Sequence, residues 1–151
     1  MPRFEVTTWV AAPPQRVFDV SLEVEVHTES MSGTGERAVA GTTTGSLGLG
    51  DTVTWQARHF GLRWRMTSRV SALDRPRFFV DEQVSGPFTH WHHAHHFESD
   101  GHGTLMRDVV DFAAPFGPLG HVAELLVLTR YMPGLIRIRN AHIKLVAEGV
   151  P

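Results

Sequence analysis

The chain has 151 residues, 42% of them apolar, enough to bury a core without help from metals or disulfides. Cysteine is absent, which removes a thiol nucleophile, a disulfide framework and a cysteine zinc site, and suits a cytoplasmic location. The 14 basic and 16 acidic residues mix along the chain to a net charge of −2, so no basic face for nucleic acid is expected.

The first ten residues lack a charged segment followed by a long apolar one, and no stretch approaches the ~20 apolar residues that span a bilayer. Neither a signal peptide nor membrane insertion is expected, and residues 1–151 read as one domain. Phe4, Val6, Thr8 and Val10 alternate as a first strand that Pro13 and Pro14 end. Proline suits a helix's first turn, and Val17, Phe18 and Leu22 then form an apolar stripe, with a second short helix over Val24–Ser30. Met31–Gly35 reads as a turn. The segment from Glu36 to Asp51, with Gly41, Gly45, Gly48 and Gly50, reads as a short strand and a flexible loop. That loop lacks the Lys-Ser/Thr ending of a phosphate loop and is better placed as the rim of a pocket.

From Thr52 the pattern is a meander whose registers follow from its turns. A two-residue turn at Phe60-Gly61 sets His59 opposite Leu62, Ala57 opposite Trp64, Trp55 opposite Met66 and Val53 opposite Ser68. A turn at Asp74-Arg75-Pro76 sets Val70 opposite Val80 and Ser68 opposite Glu82; one at Gly86-Pro87 sets Glu82 opposite Trp91 and Val80 opposite His93. A loop over Glu98–Gly103 then pairs Phe97 with Thr104, His95 with Met106, His93 with Asp108 and Trp91 with Val110. These residues fall on one face, and a slip of one position would throw an apolar set to the other side. The opposite face carries Arg58, Arg63, Arg65, Arg69, Asp81, Gln83, His90, His92 and Arg107, with Arg69 directly across from Asp81.

After Pro118 the period becomes helical, with Leu128, Tyr131, Met132, Leu135, Ile138, His142, Leu145 and Val146 on one stripe and Arg130, Arg137, Arg139 and Lys144 largely away from it. Pro133-Gly134 should kink or split that helix.

The order of elements, a strand, two short helices, a meander and a long terminal helix, resembles the START-like helix-grip superfamily, also called SRPBCC. Gly50-Asp51-Thr52-Val53-Thr54-Trp55, Phe79-Val80-Asp81-Glu82-Gln83, Gly86-Pro87-Phe88, Trp91–Phe97, Gly103–Asp108 and Gly117-Pro118-Leu119-Gly120 are similar to its bacterial polyketide cyclase/dehydrase-like branch. The resemblance implies an α+β helix-grip fold, a curved antiparallel sheet of about seven strands around the C-terminal helix. It also implies a deep pocket for a lipid, polyketide or aromatic metabolite. The expected lining is Trp55, Trp64, Met66, Ser68, Val80 and Trp91 with Met106, Val110, Met132 and Leu135.

Glu82, His93, His95 and Asp108 fall on the same face as the tryptophans. A buried carboxylate beside an imidazole must be paired, hydrated or useful, because burying it bare costs several kcal/mol. In a catalytic reading Asp108 orients His93, His93 moves a proton on a bound ligand and Glu82 is a second acid or base, as enolisation, aldol cyclisation or dehydration would require. In the plainer reading the four form a structural cluster. His93 and His95 with Glu82 or Asp108 also make a two-histidine, one-carboxylate set of the kind zinc or ferrous iron accepts. No H-E-x-x-H spacing is present and His90, His92 and His96 point outward, so no metal or other cofactor is expected. The function classes left are a hydrophobic-ligand binder, a cyclase/dehydratase-type enzyme, and an interaction module that could form a homodimer through its terminal helix or outer sheet.

Overall fold

The computed structural model describes residues 2–149. Strand β1 (Arg3–Val10) is followed by α1 (Pro14–Ser21) and α2 (Val24–Ser30), then a 3-10 turn over Ser32–Thr34. Strands β2 (Arg37–Gly41), β3 (Thr52–His59), β4 (Leu62–Asp74), β5 (Phe78–Ser85), β6 (His90–Asp100) and β7 (Gly103–Ala113) complete one antiparallel sheet in the order β1-β7-β6-β5-β4-β3-β2. The last run is helical: α3 (Gly117–Ala123), a π-turn over Glu124–Leu128, and α4 (Thr129–Ala147). This is the helix-grip arrangement. Among the described residues no helix is long and apolar enough to cross a membrane.

The β3–β4 register is the one that its two-residue turn dictates, with Trp55 opposite Met66 and Val53 opposite Ser68. The next pairing departs from expectation. The turn closes over Arg75–Arg77, with Asp74 opposite Phe78, and irregularities at Val70/Ala72 and Thr67/Ser68 interrupt the ladder. A β-bulge adds one residue to one strand and so reverses which side chains face the core. Val70 therefore stands opposite Asp81, and Arg69 opposite Glu82 rather than Asp81. Ser68 lies opposite Gln83, and Val80 faces Ala72 and Ala94 rather than Val70 and His93. Asp81, not Glu82, is on the concave side, opposite His93.

The last hairpin is tighter than the loop expected. Its strands run on to Asp100 and Gly103, turning over Gly101-His102 with Gly101 at φ 62°, a backbone state glycine adopts without strain. The pairing moves by two, so Trp91 meets Phe112, His93 meets Val110, His95 meets Asp108 and Phe97 meets Met106. A shift of two preserves the face, and the inward identities survive.

The expected break at Pro133 lies upstream, where Thr129 N–H reaches back to the Glu124 carbonyl in the π-turn. Pro133 itself is buried inside α4. The helix face against the sheet is Pro133, Ile136, Arg139, Asn140, Ile143 and Ala147. Arg139 is thus buried, against expectation, while Ile138 and Leu145 of the expected stripe are 57% and 47% exposed. His142 is also not a core residue, because its Nε2 lies 3.2 Å from Glu29.

One end of the gripped space is solid. Val10, Val17, Phe18, Phe79, Phe97, Met106 and Ile143 are all buried there, with Phe18 edge-on to Phe79 and Phe97. A smaller cluster, Trp91, Val110 and Phe112 with Phe4 and Phe88, lies toward the other end.

Candidate functional site

Between the sheet and the C-terminal helical run is a cavity of about 800 Å³. Its walls are mostly apolar: Trp55, Ala57, Trp64, Met66 and Val70 from the sheet, Met132, Leu135 and Ile136 from α4. Phe60, Phe116, Leu119 and Val127 rim it and are themselves exposed. The glycine loop contributes Leu47 and Asp51 to the wall. It is tied rather than loose: the Glu25 carboxylate accepts from Gly45 N–H at 2.9 Å and Leu47 N–H donates to the Leu22 carbonyl at 3.0 Å.

One stretch of wall is polar, and strand alternation builds it. In β6 the sequence Trp91-His92-His93-Ala94-His95-His96-Phe97 sends Trp91, His93, His95 and Phe97 inward, all buried, and His92, Ala94 and His96 to the other face. His95 stacks on Phe79 with ring centroids 4.0 Å apart, His93 stacks on His95 at 3.7 Å, and Trp91 stands edge-on to His93. The two imidazoles thus bridge the two apolar clusters.

Four other polar side chains hold them. His93 Nε2 lies 2.7 Å from Asp108 Oδ1, a diagonal contact between β6 and β7 rather than the direct opposition expected. His95 Nε2 donates to Asp81 Oδ2 at 2.6 Å. Asn140 Nδ2 donates to the second oxygen of Asp108 at 2.6 Å, and Arg139 donates to the Asn140 side-chain carbonyl at 2.9 Å. Arg139 also lies 3.6 Å from Asp108 Oδ1. His95 Nδ1 comes within 3.2 Å of that same oxygen but off the line a hydrogen bond needs, leaving it a buried atom without a partner.

Electrostatics separate the members. Burial alone would raise the Asp81 pKa, but the His95 hydrogen bond and the charges of His93, His95 and Arg139 outweigh it and hold it at about 2. Burial likewise opposes ionisation of Asp108, yet the hydrogen bond from His93 and the closeness of His95 keep it well below the ordinary carboxylate value. His93 is pushed down to about 4, first by burial and then by repulsion from His95, against the pull of Asp108 and Asp81. At neutral pH His93 is a neutral imidazole. With Nε2–H given to Asp108, its Nδ1 lone pair is free for a group in the cavity.

Of the residues expected to contact a ligand, Trp55, Trp64, Met66, Ser68 and Trp91 line the cavity, as do His93, His95, Met132 and Leu135. Met106 and Val110 are instead fully buried in the packing behind it, and Asp108 is sealed behind the histidines. Val80 and Glu82 lie on the other face of β5, turned away by the bulge. Asp81 and Arg139 were not expected in the site and both line it. For Arg139 and Asn140 the available signal was helical phase, since they continue the spacing of Ile136, Ile143 and Ala147. Two further polar pairs reach the cavity. His27 Nε2 lies 2.6 Å from Glu36 with its ring on Trp55, and His59 Nδ1 lies 2.7 Å from the Tyr131 hydroxyl.

The sequence matches the family described as polyketide cyclase/dehydrase and lipid transport over residues 1–148. No curated protein matches it significantly. Among solved structures it is similar to a protein of Thermus thermophilus, at 16% identity and a TM-score of 0.80, covering 97% of each chain. The Zhui aromatase/cyclase from Streptomyces sp. R1128 is similar at 19% identity and a TM-score of 0.69, covering 99% of each. Truncated norcoclaurine synthase from Thalictrum flavum is similar at 12% identity and a TM-score of 0.73, covering 99% of this chain and 95% of that one. Likeness at these identities shows a shared fold.

Proposed function

Because the chain belongs to the polyketide cyclase/dehydrase and lipid transport family, we propose that it binds one small hydrophobic molecule, a lipid, polyketide or aromatic metabolite, in the cavity between sheet and helix. The observation that carries this reading is the shape and chemistry of that cavity. Its roughly 800 Å³ falls within the size range of small-molecule sites, and its apolar walls converge on one polar patch. A ligand fitting it has an apolar body and a polar group that meets His93, Asp81 or Arg139. Trp55, Trp64 and Trp91 line the walls, so their fluorescence reports occupancy directly. Titration with fatty acids, sterols, flavonoids and polyketide-like aromatics, checked by native mass spectrometry, is expected to find a one-to-one complex. Failure across all four classes would overturn the reading.

A second reading has one observation in its favour: Asp108 holds His93 so that an unprotonated ring nitrogen is left for the cavity. In a cyclase/dehydratase-type reaction His93 would take a proton from the bound molecule and return it to the oxygen that leaves or is formed, with Asp108 stabilising the imidazolium in between. Two similar structures belong to enzymes, an aromatase/cyclase and a synthase. Under this reading His93→Ala abolishes conversion of a bound substrate while leaving binding in place, and an unchanged rate removes His93 from any such role.

A further inference from the structure

The bulge that turns Asp81 inward also completes a donor set. Asp81, His93 and His95 each present a nitrogen or oxygen within 4.8 Å of the other two. His95 Nε2 is 2.6 Å from Asp81 Oδ2, and His93 Nδ1 is 4.0 Å from the same oxygen. In a tetrahedral site with bonds of ~2.0 Å, ligand atoms stand about 3.3 Å apart, so small rotations of these side chains would meet it.

Asp108 supports such a set from behind. Its Oδ1 faces the outer nitrogen of both rings, His93 Nε2 at 2.7 Å and His95 Nδ1 at 3.2 Å, while Asn140 and Arg139 hold the carboxylate in place. A carboxylate on the far nitrogen of a metal-bound histidine fixes its tautomer and aims its lone pair at the ion. Two further observations point to a cation. Asp108 is fully buried and Asp81 mostly so, and among the described residues the only fixed positive charge lining the cavity beside them is Arg139, so a counter-ion or a protonated imidazole would balance the excess negative charge. His95 Nδ1 is also a buried atom without a hydrogen-bond partner. With its proton on Nε2, facing Asp81, the ring sets a lone pair against the Asp108 oxygen; an ion at Nε2 would leave the proton on Nδ1, which a small ring rotation would turn onto Asp108.

We propose that Asp81, His93 and His95 form a site for a divalent first-row metal ion, with Asp108 as their common support. The donor set is two imidazoles and a carboxylate with no thiolate, which suits zinc, cobalt or ferrous iron rather than a soft ion. The remaining coordination positions face the cavity, so a hydroxyl, carbonyl or carboxylate oxygen of a bound molecule would complete the shell. That last point rests on the ligand-binding reading; the metal site does not.

The test is calorimetric titration of the chelator-treated full chain with Zn²⁺, together with the visible spectrum of the Co²⁺ form. One equivalent and an intense low-coordinate cobalt band are expected. Asp81→Asn, at a partly exposed position, should weaken binding at least tenfold. Asp108→Asn should weaken it roughly 10- to 100-fold through the histidines. A His90→Ala/His92→Ala double variant, on the outer face, should bind as the parent does. No uptake by the parent chain, or uptake kept in Asp81→Asn and lost in the outer-face variant, overturns the proposal. Because the titration uses metal alone, its failure leaves the hydrophobic-ligand reading to stand or fall on the fluorescence experiment.

Discussion

At the scale of single residues the decisive group is His93, whose surroundings predict a pH dependence of stability. Its folded pKa of about 4 lies below the ordinary 6.5, so between those values the unfolded chain binds a proton that the folded chain refuses. Stability is therefore full above pH 6.5 and falls as the pH drops toward 4. At about 1.4 kcal/mol per unit, the loss is on the order of 3 kcal/mol. Asp81 and Asp108 are displaced in the same direction from a lower starting value, so their contribution is present above the ordinary carboxylate value and is lost at lower pH, for Asp81 down through about 2. Urea unfolding in chelator-treated buffer at pH 7, 5.5 and 4 should show the first phase, and His93→Gln should flatten it. An unchanged slope in that variant would assign the titration to another group. His93, His95 and Asp108 were legible because strand alternation places a side chain irrespective of what it touches. Arg139 was not, because an arginine among apolar residues reads as solvated until its carboxylate partner on another element is known.

At the scale of elements, turns with an unambiguous geometry were readable and bulges were not. Phe60-Gly61 specified the β3–β4 register residue by residue, whereas nothing in Arg69-Val70-Ser71-Ala72 signals that the pairing shifts there. That one irregularity exchanged Asp81 for Glu82 in the site. It also lets both halves of β4 serve the concave side, with Met66, Ser68 and Val70 before it and Leu73 after it. The helical run shows a similar contrast between its glycines. A Cβ at Gly120 would overlap the Pro115 carbonyl, where α3 packs against the chain leaving β7, while one at Gly134 would meet nothing. Gly120→Ala should cost about 1–3 kcal/mol by overpacking. Gly134→Ala should add about 0.5–1 kcal/mol by relieving the entropy cost of glycine in a helix. Urea midpoints of the two variants check this, and equal shifts of the same sign would contradict it.

At the scale of the whole molecule, the fold is a half-filled grip: one end solid around Phe18, the other hollow around the tryptophans. A molecule that fills the hollow and has no affinity for the unfolded chain stabilises by linkage, by about 2.7 kcal/mol at a hundredfold excess over Kd. For a chain of this length that raises Tm by about 5–10 °C, readable in a thermal scan with each fluorescence hit. A hit that quenches fluorescence without moving Tm would be bound elsewhere or bound equally to the unfolded chain. The hollow has a calorimetric consequence too. Its apolar walls are already in contact with solvent through the mouth when the chain is folded, so unfolding wets less new surface than the usual ~12–15 cal/mol/K per residue implies. The ligand-free protein should therefore unfold with an unusually small heat-capacity increment. The bound form should recover the missing part, seen equally as a binding enthalpy that grows more negative on warming.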